Sequence, residues 1–194
     1  MTAFTHETIG RTTRYDGPIF QVYSDEVTMA GGHTVNRDVV ENLGAVGVVA
    51  LDDEDRVVLI RQYRHAVGQR LWELPAGLRD VEGEALVRAA ARELAEEVDL
   101  IAGRYDRLID LHTSPGFSNE VIRLFLARSL TSVPSGDRFE RTDEEAEIEV
   151  AWFDLDEAVA MIFRGEITNA AAVGGLLAAA RARDEGWATL RPVD

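Results

Sequence analysis

Apolar and polar positions change their period several times along the chain, and each change marks an element. Within residues 6–42 three strand-like pieces, 7–15, 19–29 and 33–42, are separated by turns at Asp16-Gly17-Pro18 and Ala30-Gly31-Gly32. They predict a small antiparallel sheet at the start of the chain. Residues 45–51 form a continuous apolar run, as expected of a strand covered on both faces, and a polar turn at 52–55 leads to a second strand at 57–63. A short strand at 71–74 runs into the tight feature Pro75-Ala76-Gly77. Residues 84–98 carry the clearest helical period, residues 108–112 and 121–127 read as strands, and 134–145 is a loop with Pro, Gly and five carboxylates. A strand at 148–153, a short helix at 156–163 and an alanine-rich helix at 170–183 complete the pattern. This order predicts an α+β protein of layered α/β/α type, with an N-terminal antiparallel β-sheet element over 1–42 and the main domain over 43–194.

The helix at 84–98 carries the first chemical signal. Val87, Ala90, Ala91, Leu94 and Val98 recur at spacings of three and four and make one apolar stripe. Beside it lie Glu93, Glu96 and Glu97. Like charges one turn apart cost roughly 0.2–0.5 kcal/mol per pair, and the negative end of the helix dipole disfavours anions in the last turns. Such a cluster needs a cation. Arg92 supplies one, four residues before Glu96, which leaves Glu93 and Glu97 for a hard divalent ion bound through oxygen. Mg²⁺ fits, because it keeps waters and bridges to phosphates. The plainer alternative is an acidic helix end neutralised by partners elsewhere in the fold.

Composition narrows the partners. The chain has 194 residues, 46% of them hydrophobic, enough for a sizeable core. Its formal charge of −15 repels nucleic-acid backbones and anionic membranes, so neither is an expected partner. All 20 basic residues are arginine, a pattern that genome composition explains. There is no cysteine, so a thiolate metal site or a cysteine nucleophile is excluded. The four histidines do not pair at metal-ligand spacing. Without an apolar signal core or a long apolar run, the sequence is expected to give a soluble cytoplasmic protein.

Gly77, Glu84 and the run Arg92-Glu93-Leu94-Ala95-Glu96-Glu97 resemble the Nudix box. Seven residues separate Glu84 from Arg92, as in the box; six separate Gly77 from Glu84, one more than usual. Asp99 stands where the box has glycine. Glycine would end the helix in a left-handed conformation that aspartate tolerates less well, so a perturbed helix end is expected. Trp72-Glu73-Leu74-Pro75-Ala76-Gly77, Ser114-Pro115-Gly116-Phe117-Ser118, Arg61-Gln62-Tyr63-Arg64 and Arg37-Asp38-Val39-Val40-Glu41 extend the resemblance to the ADP-ribose pyrophosphatase branch over nearly the whole chain.

The resemblance implies a Nudix α/β/α sandwich that hydrolyses the diphosphate linkage of ADP-ribose, giving AMP and ribose 5-phosphate, with Mg²⁺ as cofactor and Mn²⁺ as an alternative. It implies a homodimer whose N-terminal sheet is exchanged between subunits. The implied metal ligands are Glu93, Glu97 and the carbonyl of Ala76, with Glu96 as a further ligand; Arg92 and Glu96 orient the cluster. The base is expected in the acidic loop after the box, as Glu145 or else Glu144. Arg64 and Arg37 are implied phosphate contacts, Ile19 and Phe20 an adenine-packing face, Leu78 a further substrate contact, and Ser114, Gly116, Phe117 and Glu120 the readers of the terminal ribose. Plain structural roles remain open for these: a surface salt bridge for Arg64, core for Phe20, a solvated charge run for the acidic loop. The alternatives are hydrolysis of another nucleoside-diphosphate sugar or dinucleotide, and a non-catalytic domain that senses ADP-ribose.

Overall fold

The computed structural model describes residues 6–141 and 147–193, and they divide into two compact units. The first contains the chain up to Gly44 together with His112–Val121. Its sheet is β1 (Glu7–Asp16), β2 (Phe20–Thr28) and β3 (Thr34–Asn42), antiparallel and in that order. The β2–β3 register runs without a break from Phe20 opposite Asn42 to Thr28 opposite Thr34. Gly31 and Gly32 close that hairpin at φ 112° and 80°, values that a side chain rarely adopts. The buried positions of β2 are partly polar: Tyr23, Ser24 and Asp25. Arg11 grips Asp25 with two hydrogen bonds, 2.7 and 2.9 Å, and lies 3.6 Å above the Tyr23 ring. The segment after His112 joins this unit at β3. The Val40 N–H donates to the Phe117 carbonyl at 2.7 Å, and the Asn42 N–H to Asn119 Oδ1 at 2.8 Å.

The second unit, Ala45–Leu111 with the chain from Ile122 onward, is the layered domain. Its five-stranded sheet has the order β11 (Arg191–Pro192), β8 (Leu100–His112), β9 (Val121–Ser132), β4 (Ala45–Ala50), β7 (Ala76–Leu78). A three-stranded sheet runs β10 (Glu149–Asp154), β5 (Arg56–Arg64), β6 (Gln69–Glu73). Strand β4 is parallel to β9, from Ala45 beside Ile122 to Ala50 beside Ala127. Its side chains alternate between two cores, which explains its unbroken apolar sequence. Val46, Val48 and Ala50 pack with Ala90, Leu94 and Val98 of α1 (Leu86–Val98). Val49 packs on the other face with Ala158 of α2 (Leu155–Phe163) and with Ala172 and Leu176 of α3 (Ala170–Asp184). Helix α3 comes close because Gly175 has no side chain: a Cβ there would lie 2.8 Å from Leu74 Cδ1.

The structure has the α/β/α sandwich that the pattern predicts, and differs in extent. β8 and β9 run on through the mixed stretches 100–107 and 128–132, where apolar and polar residues do not alternate cleanly. Backbone pairing within the sheet sustains them there, and a side-chain pattern does not record it. β7 is a three-residue strand where only a tight turn is expected; it pairs with β4, Gly77 facing Val46. Among the described residues, no helix is long and apolar enough to cross a membrane.

Candidate active site

Helix α1 brings its carboxylates against the backbone of β7, and two contacts fix the approach. Glu97 is only 6% exposed, and one of its oxygens accepts the Ala76 N–H at 2.8 Å. Glu93 lies directly over Gly77, where any Cβ would overlap its carboxyl group. Glycine there makes room for this close approach and is not called for by the backbone angle. Arg92 is the hub of the exposed side. Its guanidinium is 2.6 Å from Glu93, 3.3 Å from Glu96, 3.4 Å from Glu84 and 3.6 Å from Asp80. Burial opposes its charge, but Glu93, Glu84 and Glu96 outweigh that and raise its pKa above the ordinary arginine value.

This corrects one expectation: Arg92 engages Glu93 as well as Glu96. Position 93 is adjacent in sequence, but both side chains bend toward the same end of the helix, which a wheel projection does not capture. Asp80, in the loop that is one residue longer than the usual box, is a partner that sequence spacing did not reveal; a charge in a loop carries no periodic signal.

Burial, the largest effect, pushes the Glu93 carboxyl above the ordinary glutamate value; Arg92 opposes this and Glu96 adds to it. A carboxylate penalised by burial and by a like-charged neighbour is one whose charged form a cation stabilises. The donors are all hard oxygens, which suits a hard divalent ion. Among the described residues no three His, Asp or Glu side chains close into a ready-made cage. Glu93, Glu96 and Glu97 are the carboxylates of this helix that could hold such an ion.

The helix end is ordered. Asp99 takes the left-handed conformation, φ 57° and ψ 36°, and its N–H bonds the Ala95 carbonyl at 3.2 Å. The expected perturbation is absent, because an aspartate in this conformation is held from outside the helix. Arg141 pairs with Asp99 at 2.8 Å, and the Asp99 carbonyl accepts the Val133 N–H at 2.8 Å.

The remaining predicted residues fall within their own units. In the second unit, Arg64 makes a two-point hydrogen bond to the buried Glu73, at 3.0 and 2.7 Å. The salt bridge left open for Arg64 is made, and its partner is the buried Glu73, which its charge alone does not single out. Leu78 ends β7, half-buried. In the first unit, Arg37 is exposed on β3 and donates to the Asn36 carbonyl. Ile19 and Phe20, 54% and 41% exposed, line a shallow depression with Glu41 and Leu43, so Phe20 is not core. Ser114 to Phe117 form a turn whose Ser114 carbonyl accepts the Phe117 and Ser118 N–H groups at 3.1 and 2.9 Å; Gly116 is open to solvent and Phe117 is 57% exposed. Glu120 is hydrogen-bonded by the Thr113 hydroxyl. Glu144 and Glu145 lie outside the described residues.

A diphosphate-cleaving chemistry is what a carboxylate helix against a glycine-bearing strand can support, and comparison with known proteins agrees. Residues 41–173 match the NUDIX domain model. The chain is 47% identical over 188 residues to an ADP-ribose pyrophosphatase of Mycobacterium tuberculosis, covering 97% of this chain and 89% of that protein. It is 29% identical over 170 residues to an ADP-ribose pyrophosphatase of Bacillus subtilis, covering 88% and 90%. A solved structure described as an ADP compounds hydrolase superposes with a TM-score of 0.81 at 21% identity, covering 96% of this chain and 98% of that one, a likeness of fold. The chain belongs to the Nudix family, whose hydrolases work with a divalent cation.

Proposed function

We propose that this chain hydrolyses the diphosphate bridge of ADP-ribose to AMP and ribose 5-phosphate, with Mg²⁺ as the cation. The observation that carries the reading is the fixed seat of Glu93 on Gly77 and of Glu97 on the Ala76 N–H, in a chain similar along 97% of its length to an ADP-ribose pyrophosphatase. When bound, the cation supplies charge neutralisation on the diphosphate oxygens and acidifies a water. Glu93, Glu96 and Glu97 hold that charge in place, and Arg92 keeps their like charges from splaying apart. Glu145, or Glu144, takes the proton from the attacking water. Arg64 offers a guanidinium already oriented by Glu73, and Arg37, Ile19, Phe20, Leu78, Ser114, Gly116, Phe117 and Glu120 are further substrate contacts. The protein is read as a cytoplasmic homodimer that exchanges its N-terminal sheet, for which the exposed apolar side chains of the first unit, Ile9, Tyr15 and Leu43 among them, are supporting features.

The test is product analysis. Purified protein with ADP-ribose and Mg²⁺ should release AMP and ribose 5-phosphate in equal amounts, and Glu97→Gln should lose most of that turnover. Intact ADP-ribose after incubation with Mg²⁺ or Mn²⁺, or faster cleavage of GDP-mannose, would overturn the substrate assignment.

A further inference from the structure

Arg141 reaches the end of α1 from a loop far away in sequence. Its Nε–H donates to the Glu96 carbonyl at 2.8 Å, and its terminal nitrogen pairs with Asp99 at 2.8 Å. A guanidinium thereby satisfies one of the carbonyls that every helix leaves unpaired at its C-terminus, and places positive charge at the negative end of the dipole. The carbonyl it caps belongs to Glu96, in the same turn as Glu97. Asp99 is the residue where this chain departs from the box glycine.

A glycine at 99 would adopt the observed φ of 57° without strain. Aspartate accepts a backbone penalty and partial burial, its side chain 22% exposed. Its other oxygen, Oδ1, is buried without a hydrogen-bond partner among the described residues. Half-satisfied, half-buried ion pairs add little net stability. What the pair does supply is direction: one planar group that sets a hydrogen bond on the Glu96 carbonyl and an ion pair on Asp99, at the end of the turn that carries Glu96 and Glu97.

We propose that Asp99 and Arg141 are positioning residues for the reaction, a clamp that sets the orientation of the Glu96–Glu97 turn toward its cation. The inference rests on the proposed role of those glutamates. Ligands need partners of their own to hold geometry, and losing such a partner commonly costs about 10- to 100-fold in metal affinity or activity.

The experiment compares Asp99→Gly, Arg141→Met and the double variant. Mn²⁺ affinity is titrated by its EPR signal in the absence of substrate, and kcat and KM for ADP-ribose are measured alongside. Glycine relieves the backbone, so the thermal midpoint of Asp99→Gly should stay at or above that of the wild type. Mn²⁺ affinity and kcat should nevertheless fall about tenfold in each single variant with KM little changed, and the double variant should be no worse than either. Asp99→Asn, which keeps the shape and an acceptor oxygen, should recover part of the loss. Wild-type Mn²⁺ affinity and kcat in Asp99→Gly would overturn the proposal, and so would losses that add fully in the double variant. If the wild type leaves ADP-ribose intact, the function fails on that result alone, while the Mn²⁺ titration still decides the clamp.

Discussion

Gly77 is the residue on which the site's geometry turns. A box glycine can be needed for backbone freedom or for space, and here it is space: the Glu93 carboxyl occupies the position of the missing side chain. Gly77→Ala should therefore push Glu93 off β7. The displaced atoms are the free end of a flexible side chain, so the stability cost should be small, under about 1 kcal/mol, to be read by urea denaturation. The larger effect should be on kcat, with KM less affected. An alanine variant with wild-type turnover would show that Glu93 works from another seat. Asp99 teaches the opposite lesson, because an unfavourable residue for the conformation is retained where a side-chain contact uses it.

At the scale of elements, α1 is held by charge along its exposed face and at its C-terminal end. Leu94 and Val98 fix it to β4, while Arg92 and Arg141 neutralise its acidic face and its end. β8 and β9 carry a different electrostatic device. Asp106 of β8 is wholly inaccessible to solvent, and both Arg104 and Arg128 bond it, at 2.8–2.9 Å. Burial would raise its pKa, but the two guanidinium groups outweigh burial and hold it below the ordinary aspartate value. A group whose pKa is lowered by folding stabilises the protein above its unfolded value and loses that contribution as pH falls through the folded one. Stability should thus fall below about pH 4 in part through Asp106. Asp106→Asn should be less stable by roughly 1–3 kcal/mol at neutral pH, and less steeply dependent on pH in that acidic window, as measured by denaturant midpoints. Equal acid slopes in the two proteins would remove Asp106 from the account.

For the molecule as a whole, the cores on the two sides of β4 are built from apolar side chains, apart from the carboxylates of α1. A cation at those carboxylates is therefore expected to serve activity and not folding. Chelation with EDTA should abolish ADP-ribose hydrolysis and shift the thermal midpoint by no more than a few degrees, with Mg²⁺ restoring turnover. Unfolding on chelation would make the ion structural. The formal charge of −15 adds a reason for the dependence, since an anionic diphosphate meets net repulsion that only a local cation and arginines offset.

The sequence by itself determined the layered sandwich and the helix that bears Glu93, Glu96 and Glu97. Those features rest on short-range periodicity and fixed spacing, which a linear reading preserves. The full length of β8 and β9 and the strand at Ala76–Leu78 were decided by pairing with distant strands. The contacts of Arg64 with Glu73, of Glu97 with the Ala76 N–H and of Arg141 with Asp99 and the Glu96 carbonyl were likewise left to tertiary structure. A sequence shows that a group is charged or polar but not what it meets, because these contacts form through folding across separations of 9, 21 and 45 residues that no local pattern encodes.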